Sequence, residues 1–202
     1  MTGLRQQKQI YPESVSPLIQ ANQWDDSRLV GRALMGDAFA ENAIYRRYAP
    51  FLLNLAARLL KRMNDADDVL QETFVIAFRK LSSLHDPNAL KSWLTKILVS
   101  QVQKALRVRR FKSIFRIDSG MDDATLASLG LYEASAHVRA ELREIDEALA
   151  KVPSDWRMTW MLHRIEGMSI SETAFAVRRS TATVKRYVTA VDTVIRPERR
   201  TS

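Results

Sequence analysis

Residues 64–81 read NDADDVLQETFVIAFRKL. Asp65, Asp67, Asp68 and Glu72 crowd the first half, and the second half turns apolar. Val69, Phe74, Ala77, Phe78 and Leu81 recur at three- and four-residue spacing, which predicts one buried stripe along a helix. Asn64 suits the N-cap, and Asp65 and Asp67 suit the positive end of the helix dipole. Gln71 and Glu72 lie too far along for capping to explain them. An acidic helix start is unexpected in a chain of 202 residues with a formal charge of +8.

The same periodicity extends outward in both directions. Six glycines and no alternation between turn signals predict an all-α chain. Upstream, residues 1–25 carry Pro12 and Pro17 and read as a flexible arm. Helices are expected over Asp26 to Met35, stopped by Gly36, then Asp37 to Tyr48, with Pro50 restarting a further helix to Arg62. Downstream, the loop His85-Asp86-Pro87-Asn88 precedes a helix from Ala89 to Arg110. Residues 117–136 are small, acidic and glycine-containing, and 113–136 read as a flexible linker between two small helical domains, 26–112 and 137–196. A basic tail closes the chain at 197–202.

In the second domain, helices are expected over His137 to Lys151, Ser154 to Glu166, Ser169 to Val177 and Ser180 to Ile195. Gly167 suits the stop of the second of these, and Ser169-Ile170-Ser171-Glu172 is a capping box. A short helix, a tight turn at Arg178-Arg179 and a longer helix make a helix-turn-helix. Ile170, Ala174 and Val177 would meet Val184, Val188 and Val191 inside it. Thr181, Thr183, Lys185, Arg186 and Thr189 would face out, offering hydroxyls and cations to phosphates and base edges.

Composition narrows the function classes. With no cysteine, disulfides and thiolate metal sites are excluded. No apolar run of about 18 residues predicts a membrane span, and the N-terminus lacks a signal-peptide core, so a cytoplasmic protein without membrane insertion is expected. His85, His137 and His163 are scattered, with no metalloprotease, phosphate-loop or nucleophile-elbow pattern. Asp65-Ala66-Asp67-Asp68 lacks the glycine and later glutamate of a calcium loop. No enzyme activity, catalytic residue, metal or cofactor is therefore expected. A pI near 10.0 favours a polyanionic partner.

Two separated stretches resemble one family. DAFAENAIYRRYAPFLLNLAARLL with DADDVLQETFVIAFRKL is similar to region 2 of bacterial sigma factors of the extracytoplasmic-function group, whose D-x-V-Q-E-T-F pattern falls on Asp68, Val69, Gln71, Glu72, Thr73 and Phe74. EALAKVPSDWRMTWMLHRIEGMSISETAFAVRRSTATVKRYV resembles region 4, with its A-L-x-x-L-P opening, E-G-x-S-x-x-E-x-A and T-V-K. The resemblance implies a sigma factor that binds core RNA polymerase, through the β′ clamp helices and β flap, and directs promoter recognition and melting. Asp68, Gln71 and Glu72 would contact the basic clamp helices. His85 and Asn88, then Lys104, Arg107, Arg109 and Arg110, would serve the −10 element and its opened strand. Arg179, Thr181, Thr183, Lys185, Arg186 and Thr189 would serve the −35 element. An anti-sigma factor is expected as a further partner. Trp93, in the family's W-L pair, is expected in the core.

The sequence departs from the family at the turn, where Arg178 and Arg179 stand in place of glycine and an apolar residue. An arginine there is either strained by about 1 kcal/mol or imposes a different turn. The recognition helix also lacks the family's arginines after T-V-K. Two other readings fit parts of the chain: a dimeric helix-turn-helix regulator, and a degenerate sigma-like protein-binding module.

Overall fold

The computed structural model describes residues 24–113, 144–145 and 147–195, all in helices or the short turns between them. The linker, the N-terminal arm up to residue 23 and the basic tail lie outside the described residues. Seven helices organise the rest: α1 (Asp26–Leu34), α2 (Ala38–Leu60), α3 (Met63–Arg79), α4 (Leu90–Ser113), α5 (Ser154–Arg164), α6 (Ile170–Val177) and α7 (Thr181–Ile195). Two 3-10 turns, Leu81–Ser83 and Pro87–Ala89, carry the chain from α3 to α4. Of the helix expected over 137–151, residues 144–145 and 147–150 are described as helical.

The first half is built on α2. Its N-terminus is capped by Asp37, whose carboxylate accepts the Phe39 N–H at 2.9 Å and an Arg32 side-chain N–H at 2.7 Å. That second bond ties α1 to α2 across Gly36, which takes φ +80°. The chain does not stop at Tyr48 and restart, as Pro50 suggests. Instead α2 runs through Pro50 without a break. Pro50 and Arg46 are both exposed, so the carbonyl left without its N–H partner faces water, and burial of Leu52, Leu55, Ala56 and Leu59 outweighs the loss. Trp24 and Asp25, read as part of the arm, belong to the fold. Asp25 accepts the Arg28 N–H at 2.7 Å, and Trp24 lies beneath the guanidinium groups of Arg28 and Arg32.

Helices α1 to α4 pack around Leu29, Ile44, Leu52, Leu55, Leu94 and Leu98, all essentially inaccessible. Helices α5 to α7 form the second half, around Met158, Leu162, Val184 and Val191. The halves are in contact, not merely tethered. Helix α6 lies against α4, and the buried apolar residues of both form one continuous cluster. At this junction Arg58 of α2 meets Glu166, in the turn after α5, with Nη2–Oε1 at 2.7 Å. Lys96 of α4 sits 3.6 Å above the ring of Phe175 of α6.

Candidate protein and nucleic-acid interfaces

The acidic helix starts two residues earlier than its composition suggests. Helix α3 begins at Met63 with Arg62 in the cap position, and no side chain caps it. Asn64 therefore lies inside the first turn. The reason is the tight join to α2: Lys61 takes φ 60° immediately after Leu60, leaving only Lys61 and Arg62 between the two helices. Packing of α2 on α3 sets the start, and local cap preference yields to it.

Along α3, Val69, Leu70, Thr73, Phe74 and Ala77 are buried. Phe74 sits between Tyr45, at 4.7 Å, and Phe78, at 5.8 Å. The Thr73 hydroxyl donates to the Val69 carbonyl at 2.6 Å, which satisfies a fully buried polar group. Turned the other way are Asp68, Gln71 and Glu72, all exposed. Their spacing of three and four places them on one face. Val75 extends that face and is 52% exposed. Sequence reasoning passed over Val75 because an apolar residue in an apolar run reads as core. The face is thus acidic at one end and apolar at the other, a combination suited to a protein partner.

The segment toward α4 places its residues less uniformly. His85 and Asn88 are exposed. Asp86 accepts the backbone N–H of Asn88 at 2.9 Å and its side-chain amide at 3.1 Å, so the amide nitrogen of Asn88 is engaged in the turn. Trp93 is half-buried and packs on the core, as expected of it. Lys104 and Arg107 are exposed one turn apart on α4. Arg109 and Arg110 fall on the last turns of the same helix, but their side chains lie outside the described part of the structure.

The helix-turn-helix is α6 and α7. Ser169 and Glu172 form the capping box: the Ser169 N–H donates to Glu172 at 2.9 Å, and the Glu172 N–H donates to the Ser169 hydroxyl at 3.1 Å. The Ser169 hydroxyl and then its backbone N–H hold the Glu172 carboxyl below its ordinary value. At the turn Arg178 takes φ 56°, the left-handed conformation, and the Arg179 N–H closes back on the Ala174 carbonyl at 3.0 Å. The strained alternative is the one adopted. Ser180 caps α7 through the Thr183 N–H at 3.2 Å. Ala174, Val177, Val184, Val188 and Val191 are buried as expected, and Ile170 is half-buried.

On the outer side of α7, Thr181, Lys185, Arg186 and Thr189 are exposed. Thr183 is half-buried and shares its hydroxyl with Ser180 at 2.9 Å. Arg179 is exposed and paired with Asp155 at 3.5 Å. Sequence reasoning gave Tyr187 no role. Its ring stacks on Trp156 of α5, 5.2 Å centre to centre, and this fixes the rotation of α7. Asp192 adds a second tie, accepting the Trp160 indole N–H at 2.7 Å and pairing with Arg164 at 2.5 Å. The described residues hold no group of three or more His, Asp or Glu side chains able to bind a metal ion, and no helix long and apolar enough to cross a membrane.

Comparison with known proteins agrees with this geometry. Residues 44–111 match the family model for Sigma-70 region 2. Among curated proteins, the RNA polymerase sigma-H factor of Pseudomonas aeruginosa is 26% identical over 186 residues, covering 87% of this chain and 96% of that protein. The ECF RNA polymerase sigma-E factor of Escherichia coli K12 is 26% identical over 187 residues, covering 88% and 97%. Among solved structures, CnrH in complex with the cytosolic domain of CnrY aligns with a TM-score of 0.61 at 24% identity, covering 85% of this chain and 95% of that one. RpoE bound to the anti-sigma factor NepR, from Bartonella quintana, aligns with a TM-score of 0.58 at 20% identity, covering 76% and 92%.

Proposed function

We propose that the chain is a member of the extracytoplasmic-function group of the sigma-70 family, as its matches support, and that it binds core RNA polymerase in the cytoplasm and directs promoter recognition, melting and the start of transcription. It catalyses no covalent step of its own and needs no cofactor. Asp68, Gln71 and Glu72, with Val75 beside them, dock on the polymerase. Lys104, Arg107, Arg109 and Arg110 hold the opened strand by its phosphates, and His85 and Asn88 lie nearest the flipped bases. Lys185, Arg186, Thr181 and Thr189 read the −35 element from the outer side of α7, with Thr183 and Arg179 at its N-terminal edge.

One observation carries most of the weight: an exposed acidic face on α3 in a chain of net charge +8. A protein that only gripped DNA would be weakened by such a face. A protein with a basic protein partner and a separate DNA partner needs it. The solved structures of similar fold are complexes, one with the cytosolic domain of CnrY and one with an anti-sigma factor. They support an anti-sigma factor as a third partner here.

The test is transcription in vitro from a pooled genomic library by core polymerase, with and without the protein. New transcripts sharing an upstream sequence would establish the reading and identify the promoter. No new transcripts and no association with core would overturn it.

A further inference from the structure

Ties of two kinds hold α7, and the turn before it, to α5. In the turn Arg179 pairs with Asp155, and toward the C-terminal end Asp192 takes the Trp160 indole and the Arg164 guanidinium. In both of these a carboxylate engages the arginine. Between them the tie is aromatic. Tyr187 stacks on Trp156 at 5.2 Å with 26° between the ring planes. The Arg186 guanidinium lies over the same Tyr187 ring, 5.7 Å from its centre. Tyr187 and Trp156 are half-buried, whereas Arg186 is exposed on the outer side of α7.

The difference matters chemically. A carboxylate takes up the N–H donors of a guanidinium, while a ring beneath its plane leaves them free to donate outward. An unsupported arginine samples many rotamers and gives up that freedom when it binds. Attraction to the ring face restricts the side chain beforehand, so its donors are already aimed. The stack on Trp156 in turn keeps the ring in place. Arg186 is the only arginine of α7. It alone on that helix carries the planar fork that matches O6 and N7 of guanine, while Lys185 is a point charge suited to a phosphate.

We propose that Tyr187, backed by Trp156, is a positioning residue for base recognition, holding the Arg186 guanidinium ready to donate to O6 and N7 of one guanine in the major groove. The proposal rests on the reading of α7 as the DNA-facing helix. Tyr187 then acts on which sequence is chosen, and little on how strongly phosphates are held.

The experiment uses the full chain with core RNA polymerase and a pool of DNA duplexes carrying a randomised stretch, with the bound fraction sequenced. Tyr187→Phe, Tyr187→Leu, Arg186→Ala and the double Tyr187→Leu, Arg186→Ala are compared with the unaltered chain. Circular dichroism confirms helicity in each. The unaltered chain should prefer guanine at one position by about tenfold or more, the discrimination of one bidentate arginine contact. Tyr187→Leu should lose about five- to tenfold of that preference at that position alone. Its salt slope should not change, because both cations of α7 remain. Tyr187→Phe keeps the ring and should select as the unaltered chain does. The double should match Arg186→Ala, since Tyr187 acts through Arg186.

Unchanged selection by Tyr187→Leu overturns the proposal. So does a loss spread over every position, or a further loss in the Arg186→Ala background, since a merely structural residue would produce either. If Arg186→Ala removes the guanine preference while Tyr187→Leu keeps it, the positioning role falls and the DNA reading of α7 stands. If Arg186→Ala changes no preference, both fall. A second measurement needs no change at Tyr187. In the NMR spectrum of the unaltered chain, the Arg186 side-chain protons, identified by their loss in Arg186→Ala, should lie upfield of the ordinary arginine range through the ring current of Tyr187. Ordinary positions there overturn the proposal even if Tyr187→Leu does not fold.

Discussion

Arg178 holds φ 56° and ψ 49° immediately after α6, a conformation that costs an L side chain about 1 kcal/mol and a glycine almost nothing. Its charge also lies where it opposes Lys96. Replacement Arg178→Gly should therefore raise stability, by about 1 kcal/mol less the extra entropy glycine gives the unfolded chain. Urea denaturation would read this as a higher midpoint at unchanged slope. Two carboxylates contribute to the acid sensitivity of the same fold. Glu172 is held below its ordinary 4.5 by Ser169, and Asp37 below its ordinary 3.8, chiefly by the Arg32 hydrogen bond. A lowered folded value means the unfolded chain takes up the proton first as pH falls. The stabilisation is therefore complete above about pH 4.5 and is lost as pH drops through the folded values. A urea series from pH 6 to pH 3 should show that decline, and Glu172→Gln should flatten its upper part. A slope unaffected by the substitution would mean the capping box does not contribute.

Helices α3 and α7 carry the two contrasting faces, and each has its own charge test. Reversal of Asp68 and Glu72 to lysine should leave circular dichroism unchanged, since both are exposed, and should weaken core-polymerase binding by at least about tenfold, a loss of about 1.4 kcal/mol. Replacement of Lys185 and Arg186 by alanine should lower promoter affinity and reduce the salt slope by about one for each phosphate no longer neutralised. An unaltered slope would remove both from the DNA interface. The sequence made these elements legible to different degrees. The capping box at Ser169 and Glu172 was readable because both partners lie within one turn. The buried valines of α7 were readable from their period. By contrast, Pro50 and Asn64 misled, because each carries a strong local preference that long-range packing overrides. Val75 was missed since nothing local says which side of α3 the other helices leave open. The stack of Tyr187 on Trp156 joins α7 to α5, and no period reveals such a pair.

For the whole molecule, composition and order were enough to foresee an all-α chain in two helical parts, but not that the parts touch. Arg58 and Glu166 are far apart in sequence, and neither sits in a pattern that marks it as a partner. The eight-residue α6 has one side against α4 and the other against α7. A helix this short has little stability of its own. It is a wall common to both halves, with Thr173 and Ala176 almost wholly inaccessible. Heat should therefore melt the chain in a single cooperative transition, with calorimetric and van't Hoff enthalpies equal. In Glu166→Lys the shared wall would belong to one half only. The calorimetric enthalpy should then exceed the van't Hoff value, with the helix-turn-helix half melting first.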